Sequence, residues 1–271
     1  MNIVFIDHDI DNYHANQFAS LLAKDHPEFR LTGVYANRKD NLEAWAQKHQ
    51  VIVAQEIEDL APLADCVMVL APSHPETHED LCQKAFVLGK PTYVDKTFAP
   101  DLFTGRHIFE AADHWRIPIQ SSSVLRYTEV QEYCRSKPDQ RPRFMATWAT
   151  GGNFDEYLIH PVEHVVSIMG SEFKEVTCRE VAGFRQIEIT FSDERAASIH
   201  MHVGHDAPYF SVVSHAKETC PIAIDSDQFF SAGMKGILNF FRHPGQAIDR
   251  RETIAILEIL EKIRADFRAV R

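Results

Sequence analysis

The sequence predicts an α/β chain. A Rossmann-type doubly wound parallel sheet over residues 1–122 is followed by an α+β domain with a mainly antiparallel sheet over 123–271. Three observations carry this expectation. Short apolar strands alternate with amphipathic helices up to about residue 120. The continuous apolar run Cys66-Val67-Met68-Val69-Leu70 suits a central parallel strand covered on both faces. From Val176 to Ser214, strand-type segments succeed one another without helices between them, as in an antiparallel sheet.

Taken in order, Ile3-Val4-Phe5-Ile6 reads as the first buried strand and Ala15 to Ala23 as the helix after it. Leu31 to Ala36 and Val51 to Val53 read as strands, separated by an amphipathic helix from Asn41 to His49, and Ile57 to Leu63 as a short helix. After the central strand, His78 to Leu88 is helical and is stopped by Gly89 and Pro91. Thr92-Tyr93-Val94, a helix from Asp101 to His114, and Ile117-Pro118-Ile119 complete the alternation. Beyond it, Arg143 to Trp148 reads as a strand and Ile159 to Met169 as a helix. Strands follow at Val176–Glu180, Gln186–Phe191, Ala196–His202 and Tyr209–Ser214. Arg251 to Phe267 closes the chain as a helix, with Ile254, Leu257, Leu260 and Ile263 at helical spacing.

Composition narrows the function classes. A chain of 271 residues with 45% hydrophobic and 25% charged residues can bury a sizeable core. The formal net charge of -11 disfavours nucleic acid and anionic membranes as partners. No apolar run reaches the roughly 18 residues of a membrane span. The N-terminus leads straight into a strand with no signal-type segment, so a cytoplasmic location is expected. Five scattered cysteines (Cys66, Cys82, Cys134, Cys178, Cys220) make neither a disulfide framework nor a CxxC knuckle, and buried thiols are expected.

The first loop, Asp7-His8-Asp9-Ile10-Asp11-Asn12-Tyr13-His14, stands where a dinucleotide-binding protein keeps G-x-G-x-x-G. Asp7, Asp9 and Asn12 occupy the three glycine places. Two carboxylates there are expected to repel a diphosphate, whatever the helix N-terminus offers. The same residues also have a local role open to them. Short polar side chains such as Asp7 and Asn12 cap helix amides, and Asp9 and Asp11 favour the positive end of the helix.

Further along stand Ala71-Pro72-Ser73-His74-Pro75-Glu76-Thr77-His78, then Ala85, then Gly89-Lys90-Pro91-Thr92-Tyr93-Val94-Asp95-Lys96-Thr97. Glu156-Tyr157-Leu158-Ile159-His160 precedes Gly170. In motif and order these segments resemble the glucose-fructose oxidoreductase / inositol dehydrogenase (Gfo/Idh/MocA) family. They are similar to its proline turn, its "GKPVxxEKP" strand with a catalytic lysine, and its D-x-x-x-H helix. His14-Ala15, Arg126 and Glu252-Thr253 are weaker matches.

The resemblance implies an oxidoreductase acting on a sugar, polyol or related hydroxylated small molecule, with NAD or NADP as cofactor and a homo-oligomeric assembly. It puts Lys96, His160 and Glu156 at the chemistry, and His8, Ile10, Asn37, Arg38, Ala71, His74, His78, Asp95 and Arg126 at the cofactor. The sequence departs from the family pattern in four places. The glycines are absent, Ala36-Asn37-Arg38-Lys39 replaces the acid that binds the adenosine ribose, Thr97 replaces proline, and Glu156 replaces aspartate. Arg38 and Lys39 could pair with a ribose phosphate and so prefer NADP, or serve as solvated loop charges.

On this reading a neutral imidazole at His160 accepts the hydroxyl proton. Glu156, one turn earlier, orients the ring and stabilises its charged form, and Lys96 holds a substrate oxygen. Two alternatives share these residues. One is a non-catalytic sugar-binding or regulatory protein that has lost the cofactor, which the acidic loop favours. The other is a metal-dependent hydrolase or lyase using Glu156, His160 and His164, at i, i+4 and i+8, with His200 and His202 on a strand nearby. No resident metal is expected, because the stripe drifts around the helix over two turns.

Overall fold

A computed structural model describes residues 1–181 and 183–269 of the chain. Two compact units emerge. The first joins Met1–Ser122 to Met234–Ile248, and the second joins Ser123–Gly233 to Asp249–Arg271.

In the first unit, β1 (Asn2–Asp7), α1 (Tyr13–Asp25), β2 (Arg30–Ala36), α2 (Leu42–His49) and β3 (Ile52–Val53) lead to β4 (Cys66–Val69). They are followed by α3 (His78–Phe86), β5 (Thr92–Val94), α4 (Leu102–Trp115) and β6 (Ile119–Ser121). The six strands are all parallel, in the order β3-β2-β1-β4-β5-β6, which is the doubly wound dinucleotide-binding arrangement. β4 is buried along its whole length, as its unbroken apolar run requires of a central strand. The segment expected as a helix at Ile57–Leu63 is a 3₁₀ turn with Pro62 inside it, since a ring without an N–H cannot sustain α-helical bonding there.

In the second unit, α5 (Glu129–Arg135), β7 (Phe144–Gly151), α6 (Phe154–Tyr157) and α7 (Ile159–Met169) precede five strands. These are β8 (Phe173–Val181), β9 (Phe184–Phe191), β10 (Ala196–Val203), β11 (Phe210–Ser214) and β12 (Thr219–Ala223). α8 (Phe229–Arg242) and α9 (Arg250–Ala269) end the chain. The sheet order is β12-β11-β7-β10-β9-β8, antiparallel throughout except for the β7–β10 pair.

One sheet face carries Met145, Ile187, Ile189, Ile199, Met201 and Val213 into a core shared with Val162, Val165 and Val166 of α7 and Ile259, Leu260 and Ile263 of α9. At the end of β7 the chain must be glycine, because a Cβ on Gly151 would lie 2.2 Å from Tyr157 Cγ. That close approach lets α6 fold back over the strand and sets where α7 begins.

The thiols correct one expectation. Cys66 and Cys82 are buried, whereas Cys134, Cys178 and Cys220 are partly exposed. Among the described residues, no helix is long and apolar enough to cross a membrane.

Candidate active site

The first loop is tied together by the side chains that replace glycine. Asp7 is fully buried. Its Oδ1 accepts from the amides of Asp9 (3.2 Å) and Ala71 (3.1 Å), and its Oδ2 from Asn12 Nδ2 (2.8 Å). Asn12 is the N-cap of α1, its Oδ1 accepting from the Ala15 amide at 2.9 Å, so the local capping role holds. No residue from 8 to 12 has positive φ, so the backbone here does not demand glycine. The left-handed position instead falls at Ala71, φ 58, in the loop after β4.

Burial, opposed by the Asn12 bond and the loop amides and reinforced by Asp95, pushes the Asp7 carboxyl up to about 7. The Asp9 carboxylate lies 3.5 Å from the Arg38 guanidinium.

Around this loop, Ile10 is fully buried. The His8 and His74 rings face each other at 5.0 Å, and His8 Nδ1 is buried with no hydrogen-bond partner. His74 also pairs with Glu76 at 3.0 Å. At the end of β2, Arg38 bonds to Asp40 at 3.0 Å with its side chain 54% exposed, and Asn37 Oδ1 accepts from Lys84 of α3 at 2.9 Å.

His78 stands apart from these. It is fully buried, with Nδ1 3.1 Å from the Phe98 carbonyl and Nε2 2.5 Å from that of Leu70. The structure therefore places it as a clasp between loops, with no open face for a cofactor.

Beyond β5, Asp95 is 1% exposed and Lys96 4%. Asp95 Oδ1 accepts from the Lys96 amide at 2.8 Å, and Oδ2 lies 2.6 Å from His14 Nδ1. Burial pushes the Asp95 carboxyl up, but the charge and hydrogen bond of His14, with Lys96, outweigh it and hold the group below the usual carboxylate range. Lys96 Nζ donates to the Pro72 carbonyl at 3.2 Å.

The second unit builds a chain of contacts onto His160. Its Nδ1 lies 2.7 Å from Ser123 Oγ, and the Ser123 amide donates to Glu163 Oε2 at 2.7 Å. Arg126 Nε donates to Glu163 Oε1 at 2.8 Å, and its Nη2 reaches Glu252 at the start of α9. Arg126, matched in sequence to the cofactor, is thus held between two carboxylates of its own unit. The ring partner that sequence reasoning missed is Ser123. Glu156 exchanges bonds with Asn153, its amide donating to Oδ1 (2.8 Å) and Oε2 accepting from Nδ2 (3.0 Å). The signals for the missed pair were the Ser121-Ser122-Ser123 run after β6 and an acid one turn past His160.

His164 does not extend that site. It is fully buried, with Nδ1 2.9 Å from the Leu125 carbonyl and Nε2 3.0 Å from Ser211 Oγ, and burial pushes it down to about 4. Both ring nitrogens face protein groups, so the i, i+4, i+8 stripe is not a ligand set. His200 stacks on Trp148 at 4.9 Å and His202 faces Phe184 at 4.7 Å. Among the described residues, no group of three His, Cys, Asp or Glu could hold a metal ion.

A nicotinamide dinucleotide fits the first unit on observations of its own residues. The loop after β1 folds without glycine, Asp9 faces Arg38, an imidazole nitrogen of His8 is left without a partner, and a cation, Arg38, stands at the end of β2.

An all-parallel sheet of this order is the Rossmann fold. The model of the Gfo/Idh/MocA family, described as an oxidoreductase family with an NAD-binding Rossmann fold, matches residues 11–116. No curated protein matches the sequence.

Solved structures share the fold across the chain. The chain is similar to UDP-N-acetylglucosamine 3-dehydrogenase from Acidithiobacillus ferrooxidans, with 14% identity, TM-score 0.78, and 98% of this chain and 97% of that one covered. For scyllo-inositol dehydrogenase from Lactobacillus casei with bound NAD(H) and scyllo-inositol, the values are 12%, 0.81, 100% and 98%. For biliverdin reductase from Synechocystis sp. PCC 6803 with biliverdin and NADP+, they are 13%, 0.69, 99% and 98%.

Proposed function

We propose that the protein is an NAD(P)-dependent oxidoreductase acting on a sugar, polyol or related hydroxylated small molecule. The observation that carries this is Lys96. It is a lysine buried after the central strands of a Rossmann unit, its backbone bonded to a buried carboxylate and its amine to the Pro72 carbonyl. Such a charge is costly unless paired and hydrogen-bonded, and a lysine with only a packing role would not be kept there. The two solved dehydrogenases of a sugar nucleotide and an inositol support the substrate class.

The nicotinamide, when bound, takes or supplies the hydride. The chain's own residues do the rest. His160 accepts the hydroxyl proton at Nε2, in the tautomer whose Nδ1–H donates to Ser123 Oγ. Glu163, anchored by Arg126, fixes Ser123 and through it the ring. Lys96 binds the substrate oxygen as a hydrogen-bond donor. His8, His74 and Ala71 flank the loop that would hold the phosphates, and Asn37, Arg38 and Lys39 the adenosine ribose. Arg38 favours NADP over NAD, since a guanidinium matches a 2′-phosphate.

The open face of the second sheet carries Trp148, His200 and Phe210 side by side, and we assign it to contact between copies of the chain.

Calorimetry with NADH and NADPH tests the reading. Binding of either at micromolar concentration supports it, and no heat from both overturns it. The cofactor-free alternative, favoured by the loop that bonds its own acids, instead expects a sugar to raise the melting temperature with no dinucleotide present.

A further inference from the structure

We propose that His14 is a positioning residue for Lys96, acting through Asp95 across 81 residues of sequence. The inference rests on the reading of Lys96 as the group that meets substrate, and it extends that reading to a residue one helix away.

Asp95 has two oxygens and two distinct duties. Oδ1 accepts from the Lys96 backbone amide at 2.8 Å, fixing the chain at the point where the lysine side chain departs. Oδ2 lies 2.6 Å from His14 Nδ1 in the first turn of α1. A carboxylate held ionised is an acceptor only, so Nδ1 carries the proton and donates. A contact that short between imidazole and carboxylate is a charge-assisted bond, stronger than a neutral one.

The pair is walled in. The side chain of Asp95 is 2% exposed and that of His14 12%, and the His14 ring packs edge-on against Phe18 at 5.8 Å. If His14 were removed, the Asp95 carboxylate would lose its partner in a buried place and would turn or take up a proton. Turning releases the Lys96 amide, and protonation weakens the bond that the amide makes. The other charged or titratable groups facing Asp95 are Asp7 at the end of β1, His78 on α3 and Lys96 itself. His14 is the group that lies at hydrogen-bonding distance from Oδ2, at 2.6 Å.

The test uses the full chain labelled with ¹³C at the lysine ε-carbons, as wild type, His14→Leu, His14→Asn, Asp95→Asn and Lys96→Met. The wild type should show a far-downfield proton resonance from the Nδ1–H of His14. That resonance is absent in His14→Leu, His14→Asn and Asp95→Asn and retained in Lys96→Met, which also assigns the Lys96 ε-signal. In His14→Leu the Lys96 signal shifts. In His14→Asn, whose amide nitrogen lies where Nδ1 does, it returns toward the wild-type position.

An unmoved Lys96 signal in folded His14→Leu overturns the inference. Should His14→Leu fail to fold, the absence in wild type of any downfield resonance removable by His14→Asn overturns it as well. Titration of the same wild-type sample with NADH and NADPH separates the two readings. If neither binds while the His14-dependent shift persists, the proposed function fails and the coupling of His14 to Lys96 stands.

Discussion

Asp9 and Arg38 meet across the ends of β1 and β2, Oδ2 to Nη1 at 3.5 Å, and so join the loop that lacks glycine to the loop that lacks the ribose-binding acid. The two departures from the dinucleotide pattern are therefore one arrangement. On the proposed reading, an acid beside the phosphates is tolerable because a base from the neighbouring strand faces it. That base is also the group that would meet a 2′-phosphate.

Arg38→Ala should weaken NADPH binding about tenfold, roughly 1.4 kcal/mol, and leave NADH nearly unchanged. Asp9→Asn should act in the opposite sense, tightening NADPH a few-fold by freeing the guanidinium and removing a negative charge. Fluorescence titration of the bound nicotinamide measures both. Equal losses for the two cofactors in Arg38→Ala would show that Arg38 does not read the phosphate.

Asp7 gives the fold a pH dependence of definite sign. Its folded pKa of about 7 lies above the model-peptide 3.8, so the folded chain holds a proton that the unfolded chain has released. The resulting stability is fully present below about pH 4 and is lost as pH rises to about 7, on the order of a few kcal/mol in all. Asp95, with its lowered pKa, contributes in the opposite direction, so the wild type alone does not isolate Asp7. Asp7→Asn keeps an acceptor for the Ala71 amide but cannot titrate. Urea midpoints of wild type and Asp7→Asn should converge and cross as pH rises from 4.5 to 7.5, and a constant difference would count against the assignment.

The strands and the lysine were legible because they are local. Cys66–Val69 declares itself by an unbroken apolar run, and Lys96 and His160 by short motifs that resemblance can read. The capping role of Asn12 followed from residue type alone. His14–Asp95 and Ser123–His160 were not legible, since each is a pairing of residues far apart in sequence that only the sheet order brings together. Residues 215–250 were opaque for a different reason. β12 contains Pro221, tolerated because that strand lies at the sheet edge, and α8 contains Gly233 and Gly236, which weaken its helical pattern. Nor does a single boundary near 122 suggest that Met234–Ile248 returns to the first unit.

Ser123→Ala should lower kcat at least about tenfold with the polyol or sugar that is turned over, and change KM little. The hydroxyl orients the base and makes no claim on the substrate, and general base catalysis contributes about 10²–10⁴-fold. Ser123→Thr, which keeps the hydroxyl, should retain most of the rate. Steady-state kinetics on the three proteins decides this, and a rise in KM at unchanged kcat would place Ser123 in substrate binding instead.

Arg126 carries the last expectation, which concerns stability. It lies between Glu163 and Glu252, and Glu163 is 4% exposed and bonded also to the Ser123 amide. Burial pushes the Glu163 carboxyl up, and the Arg126 charge and hydrogen bond work against that rise. Arg126→Met removes the compensation and leaves a buried carboxylate unpaired, which costs about 3–5 kcal/mol. Pairing it with Glu163→Gln should recover much of that loss, because the uncompensated charge is gone; neighbours in one network are not additive. The penalty of Arg126→Met alone should also shrink as pH falls, since Glu163 can then take up a proton and become neutral. Urea denaturation of both single variants and the double variant at two pH values measures these differences, and additive losses at both would show that the ion pair does not hold Glu163.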